Sequence, residues 1–126
     1  MLQEGLQHTS ELRVDGSNTA IAMGSGDLPV LATPAMMALM ENAAMLAVAP
    51  HLPEGSTTVG GHIAASHIKP TAVGEAVTAT ATVIKVEGKK IEFEVQAHCG
   101  DTLIGEGTHL RFVVDREKFL ARLNNL

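Results

Sequence analysis

The chain has no tryptophan, no tyrosine and only three phenylalanines among its 126 residues. That scarcity excludes an aromatic platform on which single-stranded nucleic acid could stack. Positive charge is also in short supply: nine Lys and Arg stand against fourteen Asp and Glu, a formal net charge of −5. A broad footprint on a phosphate backbone is not expected from that balance, so no nucleic-acid partner is assigned. A polyanionic small ligand remains compatible with it, since a few local cations suffice. The single cysteine, Cys99, rules out an intrachain disulfide framework. No basic start leads into an apolar stretch of the secretory kind. The longest apolar run, Pro34 to Pro50, falls short of the ~20 residues of a membrane span and is interrupted by Glu41. The expectation is a cytoplasmic protein with no membrane partner.

What is present is a core of Val, Ile, Leu, Met and Ala in a chain of one-domain length, residues 1–126. Gly5 to Val14 reads as a strand, Asp15-Gly16 as a turn, and Thr19 to Met23 as a second short strand. After the loop Gly24-Ser25-Gly26-Asp27, Thr33-Pro34 marks a helix start, with Thr33 as cap and Pro34 at the first helical position. The helix is expected to run to about Val48 and to stop before Pro50 and Pro53. Its residues are apolar nearly all round, so it should be enclosed by protein on most sides.

Four strands are expected after it: Thr57 to Lys69, Ala76 to Val86, Lys89 to Cys99 and Leu103 to Val114. Glu87-Gly88 and Gly100-Asp101 supply the hairpin turns. The third of these strands alternates cleanly, with Ile91, Phe93, Val95 and Ala97 on one face and Lys90, Glu92, Glu94 and Gln96 on the other. A short terminal helix from Asp115 carries Phe119 and Leu123. One helix cannot be buried all round by a flat sheet. The pattern therefore implies an α+β fold in which an antiparallel sheet curves around a single long helix. Its edges invite pairing with a second copy.

Glu41 is the most informative residue. A carboxylate in the most apolar helix must be paired, neutralised or turned to a cavity. Two readings follow: a structural partner for a cation at a subunit interface, or a general base or nucleophile. Thr33 has a structural excuse as a helix cap, yet the start of a buried helix also offers amides and a favourable dipole to an oxyanion. With Pro34 lacking an amide, the donors expected there are those of Ala35 and Met36. Eight helical residues rise ~12 Å, so Thr33 and Glu41 of one helix cannot be hydrogen-bonded neighbours. If both act on one substrate, either a bridging group spans the gap or two subunits contribute.

The histidines form no metal set. His62 and His67 are five apart on a strand and point to opposite faces, while His98 and His109 lie on different stretches. His67 stands as a candidate acid–base residue. Gly60-Gly61 in mid-strand marks a close approach or a bulge. Arg111, among apolar neighbours, reads as a buried ion-pair partner or an anchor for an anionic group. No phosphate-binding loop and no Gly-x-Ser-x-Gly elbow occurs.

In Ala32-Thr33-Pro34-Ala35-Met36, Glu41, His51-Leu52-Pro53-Glu54-Gly55, Thr58-Val59-Gly60-Gly61-His62, Ser66-His67, Val86-Glu87-Gly88-Lys89-Lys90, Phe93 to His98 and Gly107 to Arg111, the chain resembles the fluoroacetyl-CoA-thioesterase-like group of hotdog-fold thioesterases. The resemblance covers roughly Leu31 to Phe119. It implies a hotdog fold, a homodimer that in some relatives pairs into a tetramer, and an active site at the subunit interface. By position, Thr33, Glu41 and His67 would be catalytic, while Gly60 and Arg111 would bind substrate. The substrate would be a short- or medium-chain acyl-CoA, with no metal and no cofactor beyond the CoA of the substrate itself. The alternative on the same fold is a non-catalytic acyl-CoA or small-acid binding protein. One departure stands out: no Phe lies between Gly24 and Leu31, where the fluoroacetyl-specific enzymes carry an aromatic lid.

Overall fold

A computed structural model describes residues 1–125. The sheet is built from β1 (Gln7–Arg13), β2 (Ser56–His67), β3 (Ala76–Glu87), β4 (Lys90–Cys99) and β5 (Thr102–Asp115). The helices are α1 (Ala20–Met23), α2 (Thr33–Val48) and α3 (Arg116–Asn124), and a single 3-10 turn over Ala49–His51 follows α2. The strands form one antiparallel sheet in the order β1-β3-β4-β5-β2. This is the expected α+β arrangement, a curled sheet with one long helix against it.

Two-residue turns join β3 to β4 and β4 to β5. Gly88 and Gly100, each at φ +60°, take the first turn position, where a side chain would be strained. The alternation read from β4 holds: Ile91, Phe93, Val95 and Ala97 are fully enclosed. Val77, Ala79, Ala81 and Val83 extend the same face on β3. Small residues there and on α2 (Ala43, Ala44, Ala47) let the helix lie close to the sheet, with Met36, Met40 and Val48 filling the space between.

Three local expectations are revised. Thr19 to Met23 is not a strand. The Thr19 hydroxyl accepts from the Ala22 amide at 3.2 Å and Gly24 closes the turn in a left-handed conformation, so two caps hold Ala20–Met23 as one helical turn. Thr33 is not the cap of α2: Ala32 is, with extended backbone and no side-chain bond, which places Thr33 at the first helical position and Pro34 next. Finally, α2 is not enclosed on most sides within the single chain. It packs mainly across β1 and β3, and only lightly over β2. Met37, Glu41 and Met45 form a half-buried line, and Ala38, Asn42 and Leu46 an exposed one.

Candidate active site

The sheet edge at β2 carries or adjoins the residues that the sequence singles out. Two of the sequence-derived residues meet here: Thr33 Oγ1 lies 2.7 Å from His67 Nδ1. Because Ala32 takes the cap position, the Thr33 hydroxyl is released from helix capping and turns to the end of β2. The amides of Ala35 and Met36, expected as free donors, both return to the Ala32 carbonyl at 3.0 and 3.1 Å. The Thr33 amide instead donates to no backbone group among the described residues. At the start of α2 the donor free for an oxyanion is therefore that of Thr33.

His67 is half-buried, and its Nε2 is enclosed without a protein partner. Burial pushes its pKa below the ordinary imidazole value, opposed in part by the Lys69 backbone. The ring is thus held towards its neutral form, the form that can accept a proton from a hydroxyl or a water. An open pocket of about 270 Å³ adjoins the pair, walled by Ala20, Val30, Leu31, Ile68 and Pro70, with Ser25 and Lys69 polar at its lining.

Glu41, Gly60 and Arg111 gather elsewhere. A methyl group built on Gly60 would stand 3.0 Å from Glu41 Oε2 and 3.5 Å from Arg111 Nη1, so carboxylate and guanidinium flank the same glycine. The two make no direct ion pair among the described residues. On β2, Gly60 pairs with Arg111 and His67 with Gly105. Those partners are six residues apart on β5, a separation of ~20 Å at strand rise. Within the single chain the structure therefore brings Thr33 to His67 and Glu41 to Gly60 and Arg111, but does not bring the two groups together.

A register shift between Gly60 and His62 lets both groups face the same side. Thr58 and Gly60 lie opposite the inward residues Val113 and Arg111, and Ile63, Ala65 and His67 lie opposite His109, Gly107 and Gly105. The bulge expected at Gly60-Gly61 is present, and it switches the inward set from even to odd numbers. His62 is left on the outer, exposed face, opposite in direction to His67.

Two further buried polar residues belong to the Glu41 group. Arg111 Nε donates to Thr58 Oγ1 at 2.8 Å and Nη2 to the Thr58 carbonyl at 2.9 Å, while Nη1 lies 3.2 Å from His109 Nε2. From the sequence alone His109 reads only as a possible metal ligand, and Thr58 carries no signal as a site residue. The usable signal was the His-x-Arg spacing on β5, which places both side chains on one face.

Comparison with known proteins agrees with this architecture. A family model described as fluoroacetyl-CoA-specific thioesterase matches residues 14–117. The fluoroacetyl-CoA thioesterase of Streptantibioticus cattleyicolor is 43% identical over 94 residues, 75% of this chain and 68% of that protein. A solved structure of a fluoroacetyl-CoA thioesterase superposes with a TM-score of 0.92 at 34% identity, covering 99% of this chain and 97% of that one. A thioesterase superfamily member from Thermus thermophilus superposes at 0.89 with 28% identity, covering 98% and 91%. The chain belongs to the fluoroacetyl-CoA-specific thioesterase family and is a hotdog-fold thioester hydrolase.

Proposed function

We propose that the protein hydrolyses a short- or medium-chain acyl-CoA to the free acid and CoA at a site shared by two protomers of a homodimer. The observation that carries this reading is the division of the site. Thr33 and His67 meet at 2.7 Å, whereas Glu41 stands over Gly60 about six strand positions away. β2 is an edge strand of twelve residues, and the helix line beside it, Met37, Glu41 and Met45, is only half covered. A two-fold axis near Ile63 and Ala64 would run β2 antiparallel to its copy. His67 of one protomer would then stand opposite Gly60 and Glu41 of the partner subunit. The groove along this edge, lined by Met37, Ile63, Ala65 and Thr108 among others, is where the copy would seat.

At such a composite site, the Thr33 amide and the Gly60 amide would stabilise the oxyanion formed as the thioester carbonyl is attacked. His67 takes the proton of the attacking oxygen, either of water or of the Thr33 hydroxyl, with Glu41 as the second acid–base group. Collapse of the tetrahedral intermediate breaks the C–S bond, and the proton passes to the departing thiolate of CoA. Where Thr33 is the attacking group, a water deprotonated by His67 then attacks the acyl-threonine ester, releasing the acid and returning the proton to the Thr33 oxygen. Arg111 supports substrate binding. The pocket beside Thr33 offers Val30, Leu31, Ile68 and Pro70 to a short or medium aliphatic acyl group, with Ser25 and Lys69 as polar lining beside it. No metal or added cofactor enters this scheme.

The test is thiol release from a panel of acyl-CoAs. Glu41→Gln lowers the rate by about 10²-fold or more if Glu41 is an acid–base residue. Unchanged turnover removes Glu41 from the mechanism. Mixing the inactive Glu41→Gln and Thr33→Val proteins then tests the shared site, because each mixed dimer regains one intact site. Absence of recovery in dimers shown to have exchanged subunits excludes the two-subunit arrangement.

A further inference from the structure

The Glu41 group contains two buried residues, Thr58 and His109, to which neither the sequence resemblance nor the reaction scheme gives a role. Among the side chains facing inward on β5, His109 and Arg111 are the polar, enclosed ones, with 1% and 7% of their surfaces exposed. Both stand on the strand that pairs with β2, and both flank Gly60: His109 Cε1 at 3.4 Å and Arg111 Nη1 at 3.5 Å from a methyl built there. A buried guanidinium with no carboxylate in direct contact is unusual, and its immediate partners are neutral.

Hydrogen-bond chemistry fixes the state of the ring. His109 Nδ1 lies 2.7 Å from the His62 carbonyl oxygen. A carbonyl can only accept, so the proton is on Nδ1. The other nitrogen, Nε2, faces Arg111 Nη1 at 3.2 Å, and a guanidinium can only donate. Nε2 must therefore carry a lone pair, which makes the ring neutral. A protonated ring would place two donors and two positive charges against each other inside the protein. Burial and the Arg111 charge hold the imidazole pKa below its ordinary value, opposed in part by the His62 carbonyl and the Glu41 charge.

The guanidinium is then fixed at three nitrogens: Nε and Nη2 by the hydroxyl and carbonyl of Thr58, and Nη1 by His109. Of its five N–H groups, one on Nη1 and one on Nη2 have no protein partner among the described residues. Held this way, Arg111 stands beside Glu41 without capturing it in an ion pair. If the anchors were lost, the cation would be free to swing onto the nearby carboxylate and tie up the group proposed as the acid–base residue.

We propose that His109 and Thr58 are positioning residues, which hold Arg111 at a set distance from Glu41 and keep that carboxylate available to the reaction. The proposal rests on the reading of Glu41 as a participating residue. The experiments separate failure of one from failure of the other.

Two pairs of variants test it. Thr58→Val keeps the shape and removes the acceptor of Arg111 Nε, whereas Thr58→Ser keeps the hydroxyl. His109→Leu removes both ring contacts, whereas His109→Gln retains an amide oxygen able to accept from Arg111. Thr58→Val and His109→Leu lower kcat by about tenfold or more with KM changed less, because a misplaced charge acts on the reacting geometry rather than on binding alone. Thr58→Ser and His109→Gln stay within about threefold of the parent protein. Should His109→Leu fail to fold, the isosteric Thr58 pair carries the test.

A second readout does not depend on turnover. The ring-nitrogen NMR shifts of His109 at neutral pH show the neutral tautomer with its proton on Nδ1. A proton on Nε2, or a charged ring at pH 7, overturns the proposal. So does a Thr58→Val protein that turns over at the parent rate while Glu41→Gln is impaired. If Glu41→Gln itself retains full activity, it is the catalytic reading of Glu41 that falls.

Discussion

Replacing Gly60 by alanine puts one methyl group into the centre of the Glu41 cluster and almost nothing else changes. Gly60 is not among the glycines with left-handed backbone, so alanine can adopt its conformation. The substitution even restricts the unfolded chain, a gain of about 0.4–1 kcal/mol in stability. The new carbon would stand 3.0 Å from Glu41 Oε2, well inside the ~3.5 Å of a comfortable non-bonded contact. His109 and Arg111, at 3.4 and 3.5 Å, are held by their own hydrogen bonds and give way less readily. The carboxylate must move by several tenths of an ångström. Displacements approaching 1 Å at a reacting group cost about 10²-fold, so kcat/KM should fall about 10- to 100-fold, or about 1.4–2.7 kcal/mol. Thiol release followed with a chromogenic disulfide measures this. Thermal unfolding in parallel should show a midpoint within a few degrees of the parent. A Gly60→Ala protein with undiminished kcat/KM would refute the placement of the reaction over Gly60.

Other perturbations probe the frame and the acid–base groups. Gly107→Ala would drive a methyl into the Ala64 carbonyl and to 2.6 Å from Ala65 Cα, a clash with backbone that cannot turn aside. It should destabilise the β2–β5 pairing by about 3 kcal/mol, and an unchanged urea midpoint would contradict the register. Burial lowers the His67 pKa, so the acid limb of kcat/KM should have its midpoint below ~6.5; a midpoint at or above that value argues against His67 as the base. His67 and His109 both have folded pKa values below their unfolded ones, so unfolding takes up protons below ~6.5. Stability should be full above that pH and decline as pH falls through it towards the folded values. Urea midpoints at neutral and mildly acidic pH measure the trend, and a midpoint that rises on acidification in this range would contradict it.

Most of the frame could be read from the chain because its signals are local. The β4 alternation, the two glycine turns and the proline-bounded helix each follow from a few adjacent residues, and all are present. Two places read differently in the structure, one through its own flanking caps and one through a distant partner. Ala20 to Met23 has the residues of a strand, but the Thr19 and Gly24 caps turn it into a helix. Thr33 has the sequence context of a cap, but the cap falls on Ala32, and the Thr33 hydroxyl faces a histidine thirty-four residues away. That Glu41 cannot reach its own Thr33 follows from helix rise alone. The His109–Arg111–Thr58 network did, since its logic lies in which nitrogen faces which oxygen.

The residue count along β2 has a consequence for how such a site can change. Strand residues obey parity: every second one looks inward. The extra residue at the bulge adds one to the count, so the even inward set that ends at Gly60 resumes as the odd set from Ile63 to His67. Gly61 itself could be lost with every ladder pair kept and His67 still inward, but losing one residue between Ile63 and His67, such as the exposed Ala64, would exchange the faces beyond it and send His67 outward. Which side chains this edge turns inward, and with them its proposed catalytic role, is thus written partly as a length. A single-codon deletion could silence it without altering any group that does chemistry.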